Sequence, residues 1–391
     1  MAGTDDSDFS ADDLPVDVPT LTDGEVRLRP HRASDVDALV EQALDPESIE
    51  WTRVPVPYAR ADAVGYLELI AGGWRSGREF CFAVETPDVP FAGSVSLRAY
   101  IDDGVGEVAY GLHPAARGRG VCSRAVKLLL DWGFERFDVV LWIAHVGNWA
   151  SRRVAWANGF TFDGTIPRFA EQRGERYDAW IGSLRTSDDR SPKHPWHVAP
   201  MLTSDRLRLR PIRMSDADRF AEMSNDARSR HYGGRVRALR EATAGEAIIT
   251  RIMLAQASGE RFDWCMTEPG SDRLIGHIQL FDLDGLDETE AKLGYSVHPD
   301  SRGRGVLRTA LGMVVEWVFR PVAEGGLGKR RLSLTTAASN TASRYAVEQA
   351  GFVHIATEPD SFTSGDEGFE DMAVYHRLNP NWTIESTKPS A

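Results

Sequence analysis

The chain opens its first patterned region with an alternating run, EVRLRP at 25–30, that predicts a strand. Two runs with helical spacing follow, SDVDALVEQAL and ADAVGYLELIAGGW, and then three alternating runs, FCFAVE, FAGSVSL and GEVAYGLH, that predict successive strands. A helix is predicted over about 119–136, a strand at VVLWIAHV, a helix at WASRRVAWAN, and two closing strands around GFTFDGTI and RYDAWIGSL. The second half of the chain repeats this order. Strands interleaved with helices predict an α/β (α+β) fold, with one mixed, mostly antiparallel sheet per half and helices on both of its faces.

Residue matches support the repeat. Arg27-Leu28-Arg29-Pro30-x-Arg32-x-Ser34-Asp35-x-Asp37 returns as Arg208-Leu209-Arg210-Pro211-x-Arg213-x-Ser215-Asp216-x-Asp218, at an offset of 181. In both, a strand runs into a serine that is expected to cap a helix, with an acid three residues on. Gly120 faces Gly305 at an offset of 185, and Asn148-x-x-Ser151 with Gly159-Phe160 faces Asn340-x-x-Ser343 with Gly351-Phe352 at 192. Small insertions accumulate, notably at PVAEGGLGKRR. The expected organisation is an acidic disordered tail at 1–21, domains at 22–185 and 202–380, a polar linker at 186–201, and a tail at 381–391.

Composition narrows the partners. The net charge is −13, and the first 25 residues hold eight acids and no Lys or Arg. An acidic field disfavours nucleic acid and favours a cationic partner such as an amine. No run of the sequence is long and apolar enough to suggest a membrane span, and no basic-then-apolar leader is visible, so a cytoplasmic protein is expected. Cys81, Cys122 and Cys265 lack metal or disulfide spacing and are expected to be free thiols. His194-x-x-His197 has no further ligands at suitable spacing, so no metal is expected.

The segment most suggestive of chemistry is HPAARGRGVCSRAV at 113–126, which returns as HPDSRGRGVLRTAL at 298–311. A strand ends at Pro114 and a helix begins near Gly118 to Val121, so the loop lies where unpaired N–H groups and the helix dipole favour an anion. Gly118 and Gly120 let the backbone approach a phosphate, and Arg117 and Arg119 add positive charge. The alternative is a tight strand-to-helix turn with solvated arginines. The loop lacks the Lys-Ser/Thr ending of a nucleoside triphosphate loop.

Arg117-x-x-Gly120 after a strand, followed by Asn148-x-x-Ser151 and Gly159-Phe160, resembles the GNAT superfamily of acyl-CoA-dependent N-acyltransferases. The serine is similar to that of its ribosomal-protein-acetyltransferase branch, and the resemblance spans both halves. It implies that Arg117, Gly118, Arg119, Gly120, Val121, Cys122 and Ser123 grip the pyrophosphate of acetyl-CoA or another acyl-CoA. The strand end at Tyr110 to Leu112 would splay from its neighbour and pair with the pantetheine arm. Asn148 would bond that arm and Ser151 would face the thiol. Arg302, Gly303, Gly305, Asn340 and Ser343 would do the same in the second half. Two departures stand out. Where the family has Gly or Ala, this chain has Cys122 and Leu307, and leucine is expected to crowd a phosphate. Where many relatives have a tyrosine acid, it has Ala155 and Val347.

Aminolysis of a thioester needs a neutral amine, and a nearby carboxylate can take the proton. Glu107, on GEVAYGLH, is the candidate base; alternatively it is a surface carboxylate or the cross-strand partner of an arginine. Its counterpart is Lys292, with Glu290 two residues earlier on the same face. Ser151 is the candidate acid, with helix capping as its alternative role. The expected activity is direct acyl transfer to a primary amine of a peptide or small molecule, with the N-terminal domain catalytic. An acyl-carrier protein as donor, or a non-catalytic acyl-CoA-binding scaffold, are the alternatives. A tandem chain leaves both monomer and homodimer open.

Overall fold

The computed structural model describes residues 18–100, 104–233, 242–365 and 368–388. Most of the expected acidic tail and the last three residues lie outside them. The chain divides into two compact units, residues 1–193 and 194–391.

In the N-terminal unit the elements are β1 (Leu21–Thr22), β2 (Arg27–Arg29), α1 (Val36–Leu44), α2 (Pro46–Trp51), α3 (Arg60–Ser76), β3 (Glu79–Thr86), β4 (Val89–Ala99), β5 (Val105–Leu112), α4 (Val121–Gly133), β6 (Val139–His145), α5 (Trp149–Ala157), β7 (Gly164–Gln172) and β8 (Glu175–Arg185). The sheet order is β1-β2-β3-β4-β5-β6-β8-β7. Neighbours run antiparallel except β5 and β6.

The C-terminal unit repeats this order with β9 (Leu202–Thr203), β10 (Arg208–Pro211), α6 (Ala217–Asn225), α7 (Ala227–Tyr232), α8 (Ala242–Ala257), β11 (Arg261–Thr267), β12 (Gly276–Phe281), β13 (Glu290–Val297), α9 (Val306–Phe319), β14 (Arg331–Ala337), α10 (Thr341–Gln349), β15 (Val353–Ser364) and β16 (Gly368–Leu378). Its parallel pair is β13 with β14. The expected fold class is what the structure shows. The first closing strand differs from expectation: β7 begins at Gly164 because Gly159 to Asp163 turn the chain out of α5.

Alternation along the strands builds a core on each face. In the C-terminal unit Cys265 packs under α6 and α8 with Phe220, Ile249 and Ile252. Its neighbours Trp264 and Met266 point the other way, toward Leu311, Val315 and Trp317 of α9. In the N-terminal unit Leu39, Leu67 and Ile70 cover Cys81 and Ala83, while Trp132 of α4 meets Phe80 and Phe82.

The repeated RLRP…SD motif turns out to be architectural. The buried Arg29 guanidinium donates two parallel hydrogen bonds to Asp35, both 2.8 Å, and Arg210 does the same to Asp216 at 2.9 and 2.7 Å. Each carboxylate also accepts from the backbone N–H three residues back, of Arg32 or Arg213. Asp35 and Asp216, rather than the expected serines Ser34 and Ser215, therefore secure the helix entry. Burial makes a charge-neutralised fork the only inexpensive way to keep these ions inside.

Candidate active site

After β5 the chain makes a short turn at Pro114–Ala116, held by His113, whose Nδ1 accepts from the Ala115 N–H. Arg117 to Gly120 follow, and α4 starts at Val121. Gly118 and Gly120 have φ of 72° and 75°, Gly303 and Gly305 of 72° and 77°, and a Cβ on any of them would meet nothing within 4 Å. The left-handed backbone explains the glycines, and the space above the loop suits a diphosphate.

The arginine side chains do other work. Arg117 folds back to donate to the Leu112 carbonyl, Asp45, Glu47 and Ser48, which ties the loop to β5 and α2. Arg302 reaches the Val297 carbonyl, Asp226 and Ser229 in the same way. Arg119 pairs with Asp88 and Arg304 with Glu268. The Arg117 N–H bonds the Pro114 carbonyl and the Arg302 N–H the Pro299 carbonyl, so the loop donors that remain start at Gly118 and Gly303. Val121 is buried, Ser123 half-buried, and burial pushes the Cys122 thiol up to about 12. Leu307 packs against the core of its unit.

The two parallel strands diverge. Among the described residues β5 pairs with β6 only from Val105–Val139 to Val108–Trp142, while Ala109 to Leu112 stay bonded to β4 alone. In the other unit the pairing covers Glu290–Lys292 with Arg331–Ser333, and β13 runs on to Val297. Each slot is crossed by a tyrosine. The Tyr110 hydroxyl lies 3.0 Å from the Ser151 Oγ and 3.0 Å from its carbonyl oxygen, and Tyr295 lies 2.7 Å from the Ser343 Oγ. Trp142 Nε1 also donates to the Ser151 Oγ at 2.9 Å. Register places Leu334 at the position of Trp142 in the C-terminal unit. Asn148 and Asn340 cap α5 and α10, each Oδ1 accepting from the backbone N–H of Ser151 or Ser343. The asparagines, not the serines, are thus the helix caps.

Glu107 and Tyr110 are three residues apart on β5 and so point to opposite faces. Tyr110 faces α5. Glu107 shares its face with Gly111, which approaches Gln42 of α1, and with His145, whose ring meets Trp51 and stacks on Tyr177. Glu107 lies opposite Arg98 on β4. Burial raises its pKa, with Glu79 adding to the rise and Arg98 and Arg53 opposing it. His145 is lowered by burial and by Arg53 and Arg173, which keeps its imidazole neutral at pH 7.

In the C-terminal unit Lys292 pairs with Asp282, and Glu290 accepts from the Ser333 hydroxyl. A cleft of about 1460 Å³ runs from the Arg302–Gly305 loop along β13 to α6, α7 and α8, and Asn340, Ser343 and His277 line it. Periodicity gave no sign of Tyr110, Tyr295, Trp142 or His277, whose partners are distant in sequence. Outside the slots, His197 stacks on Phe262, and among the described residues no cluster of three or more His, Cys, Asp or Glu could hold a metal. No helix among them is long and apolar enough to cross a membrane.

Two mixed sheets, each with one splayed parallel pair above a glycine loop, repeat a single architecture in the two units. The family model described as an acetyltransferase (GNAT) domain matches residues 25–161 and again 206–353. The chain belongs to the GNAT acetyltransferase family, as a tandem of two such domains. It is similar to the uncharacterized N-acetyltransferase YoaA of Bacillus subtilis, 29% identical over 157 residues that cover 39% of this chain and 82% of that protein. Among solved structures it resembles ribosomal-protein-S5-alanine acetyltransferase from Vibrio fischeri, at 17% identity, TM-score 0.41, and coverage of 47% of this chain and 99% of that one. Mycobacterium smegmatis RimJ in complex with CoA-disulfide matches at 17% identity and TM-score 0.41, covering 49% and 90%.

Proposed function

We propose that the N-terminal unit transfers an acyl group, acetyl in the simplest case, from acyl-CoA to a primary amine by direct attack, with Glu107 as base and Ser151 as acid. The observation that carries this reading is the position of Glu107 and Tyr110 on opposite faces of β5, at the point where that strand leaves β6. Backbone N–H groups of the stretch from Gly118 to Ser123 hold the diphosphate, and Ala109 to Gly111 offer free strand edge to the pantetheine amides. Acyl-CoA supplies the activated thioester.

Glu107, with its raised pKa, accepts the amine proton as the new amide bond forms. Trp142 donates to the Ser151 oxygen and Tyr110 can donate to the Ser151 carbonyl, which leaves the serine's own proton available for the departing thiolate. His145, Trp51 and Tyr177 border the acceptor side. An aromatic wall of this kind suits an amine on a peptide or small-molecule acceptor.

The test uses Gly305→Glu, which places a strained, negatively charged residue in the C-terminal loop and so isolates the N-terminal unit. In that background, acetyl-CoA stoichiometry by native mass spectrometry and acetylation of an amine panel are compared with and without Glu107→Gln. One bound coenzyme, with turnover reduced about 10²-fold or more by Glu107→Gln, is expected. Unchanged turnover removes Glu107 as base. Turnover only from acyl-carrier thioesters replaces CoA as the donor, and bound coenzyme without transfer to any amine favours a scaffold.

A further inference from the structure

The face of the C-terminal sheet beneath α6 and α8 carries a pair of residues that the N-terminal unit lacks. Asp263 on β11 is fully buried, and its Oδ1 lies 2.8 Å from the Nε2 of His277 on β12. Arg261 donates to both carboxylate oxygens, and the Asp263 backbone N–H is held by Gln256. Burial alone would raise the Asp263 carboxyl, but the bonds from His277 and Arg261 outweigh it and hold the group below the usual carboxylate range. With an ionised acceptor at Nε2, the ring proton sits on Nε2 and the basic lone pair on Nδ1. Nδ1 has no hydrogen-bond partner among the described residues, and His277, 5% exposed, lines the cleft.

Register places His277 beside the freed strand. His277 pairs with Ser296, on the stretch of β13 that has left β14, and the next residue, Ile278, pairs with Tyr295. His277 and Tyr295 therefore flank the freed strand from opposite faces, as Glu107 and Tyr110 do in the other unit. The N-terminal counterparts are Cys81 and Ser94, since Arg29 faces Ala83 as Arg210 faces Cys265. There the space is closed by a buried His31 that bonds the Ser94 hydroxyl. Arg230 of α7 and Arg251 of α8 line the helix side of the C-terminal cleft, where Glu260 is the one acid among the lining residues.

We infer that His277, oriented by Asp263, is the general base of a second acyl-transfer site in the C-terminal unit, and that its acceptor is a primary amine that also carries a carboxylate or phosphate. This rests on the reading of the units as acyl-thioester transferases. The amine nitrogen bonds to the acyl carbon and the carbon–sulfur bond breaks. His277 Nδ1 takes the amine proton, and the thiolate leaves with the proton of the Tyr295–Ser343 pair, which solvent restores. His277 is thereby the catalytic residue that replaces the missing carboxylate at Lys292, and Asp263 is a positioning residue.

The full-length chain carrying Gly120→Glu reads this unit alone. It is assayed with acetyl-CoA and amino acids, dipeptides and amino-sugar phosphates, each beside its neutral amide or unphosphorylated form. Transfer preferring the anionic amines over their neutral forms is expected. His277→Gln keeps an Nε donor for Asp263; it should lower kcat by about 10²-fold or more while acetyl-CoA stoichiometry and melting temperature hold. Asp263→Asn, which keeps the shape but not the charge, should lower kcat while the KM for acetyl-CoA holds. Turnover of the Gly120→Glu chain that ignores His277→Gln overturns the inference, as does a cleft that loads acetyl-CoA and acetylates none of the amines, or one that loads none. Since Gly305→Glu reads the N-terminal unit separately, failure here leaves the Glu107 result standing, and the reverse.

Discussion

The Tyr110 hydroxyl lies 3.0 Å from both the Oγ and the carbonyl oxygen of Ser151, so one side chain spans the slot between β5 and α5. Burial and the nearby Cys122 raise the Tyr110 phenol well above its ordinary value, which keeps it protonated through the working pH range. Tyr110→Phe should lower kcat with little change in acetyl-CoA binding. Ser151→Ala should remove the proposed acid and also strand the Trp142 indole N–H, a destabilisation of about 1–3 kcal/mol. Steady-state kinetics and denaturant unfolding on the same variants separate the two effects.

Glu107 sets activity against stability. Its folded pKa is raised, so the folded state holds its proton more tightly than the unfolded chain does. The linked stability falls as pH rises through the window between the ordinary and raised values, and the loss is complete above it. Glu107→Gln should therefore melt at the same or a higher temperature at pH 7 while turnover falls. A variant that loses both would mark Glu107 as a structural partner of Arg98.

His31 gives the N-terminal unit an acid-sensitive point. Burial drives it down to about 4, with Asp35 opposing and Arg29 assisting. The unfolded chain takes up the proton first, so the contribution is intact above about 6.5 and is lost as pH falls toward 4, amounting to about 3 kcal/mol. Ile212 occupies the matching position in the other unit, so the His31 contribution belongs to the N-terminal unit, beside contributions of the same sign from the lowered His145 there and His197 in the other. His31→Gln should reduce the acid dependence of the N-terminal unit, as read by unfolding between pH 4 and 7.

The buried forks should be the costliest surface-remote sites to break. Arg210→Ala leaves Asp216 charged and enclosed and should cost about 3–5 kcal/mol in its own unit. Arg29→Ala should do the same in the other, as measured by denaturant midpoints.

The parts legible in the sequence were those written in local order. The RLRP…SD repeat, the glycine loop and Asn148-x-x-Ser151 each lie within about a dozen residues, and spacing alone placed them at element ends. The Arg117 reading changed most, because its partners Asp45, Glu47 and Ser48 lie about seventy residues away on a helix, α2, that periodicity did not reveal. Likewise Tyr110 meets Ser151 and His277 meets Asp263 only through sheet register and helix packing. Alternation says which face a residue takes, but not which side chain waits there.

The linker between the units fixes something no single cleft can. Two units on one polypeptide are synthesised and degraded together, so their ratio is one to one whatever the expression level. If both units draw on acetyl-CoA, as proposed, a shortage of that donor would reach both acceptors at once.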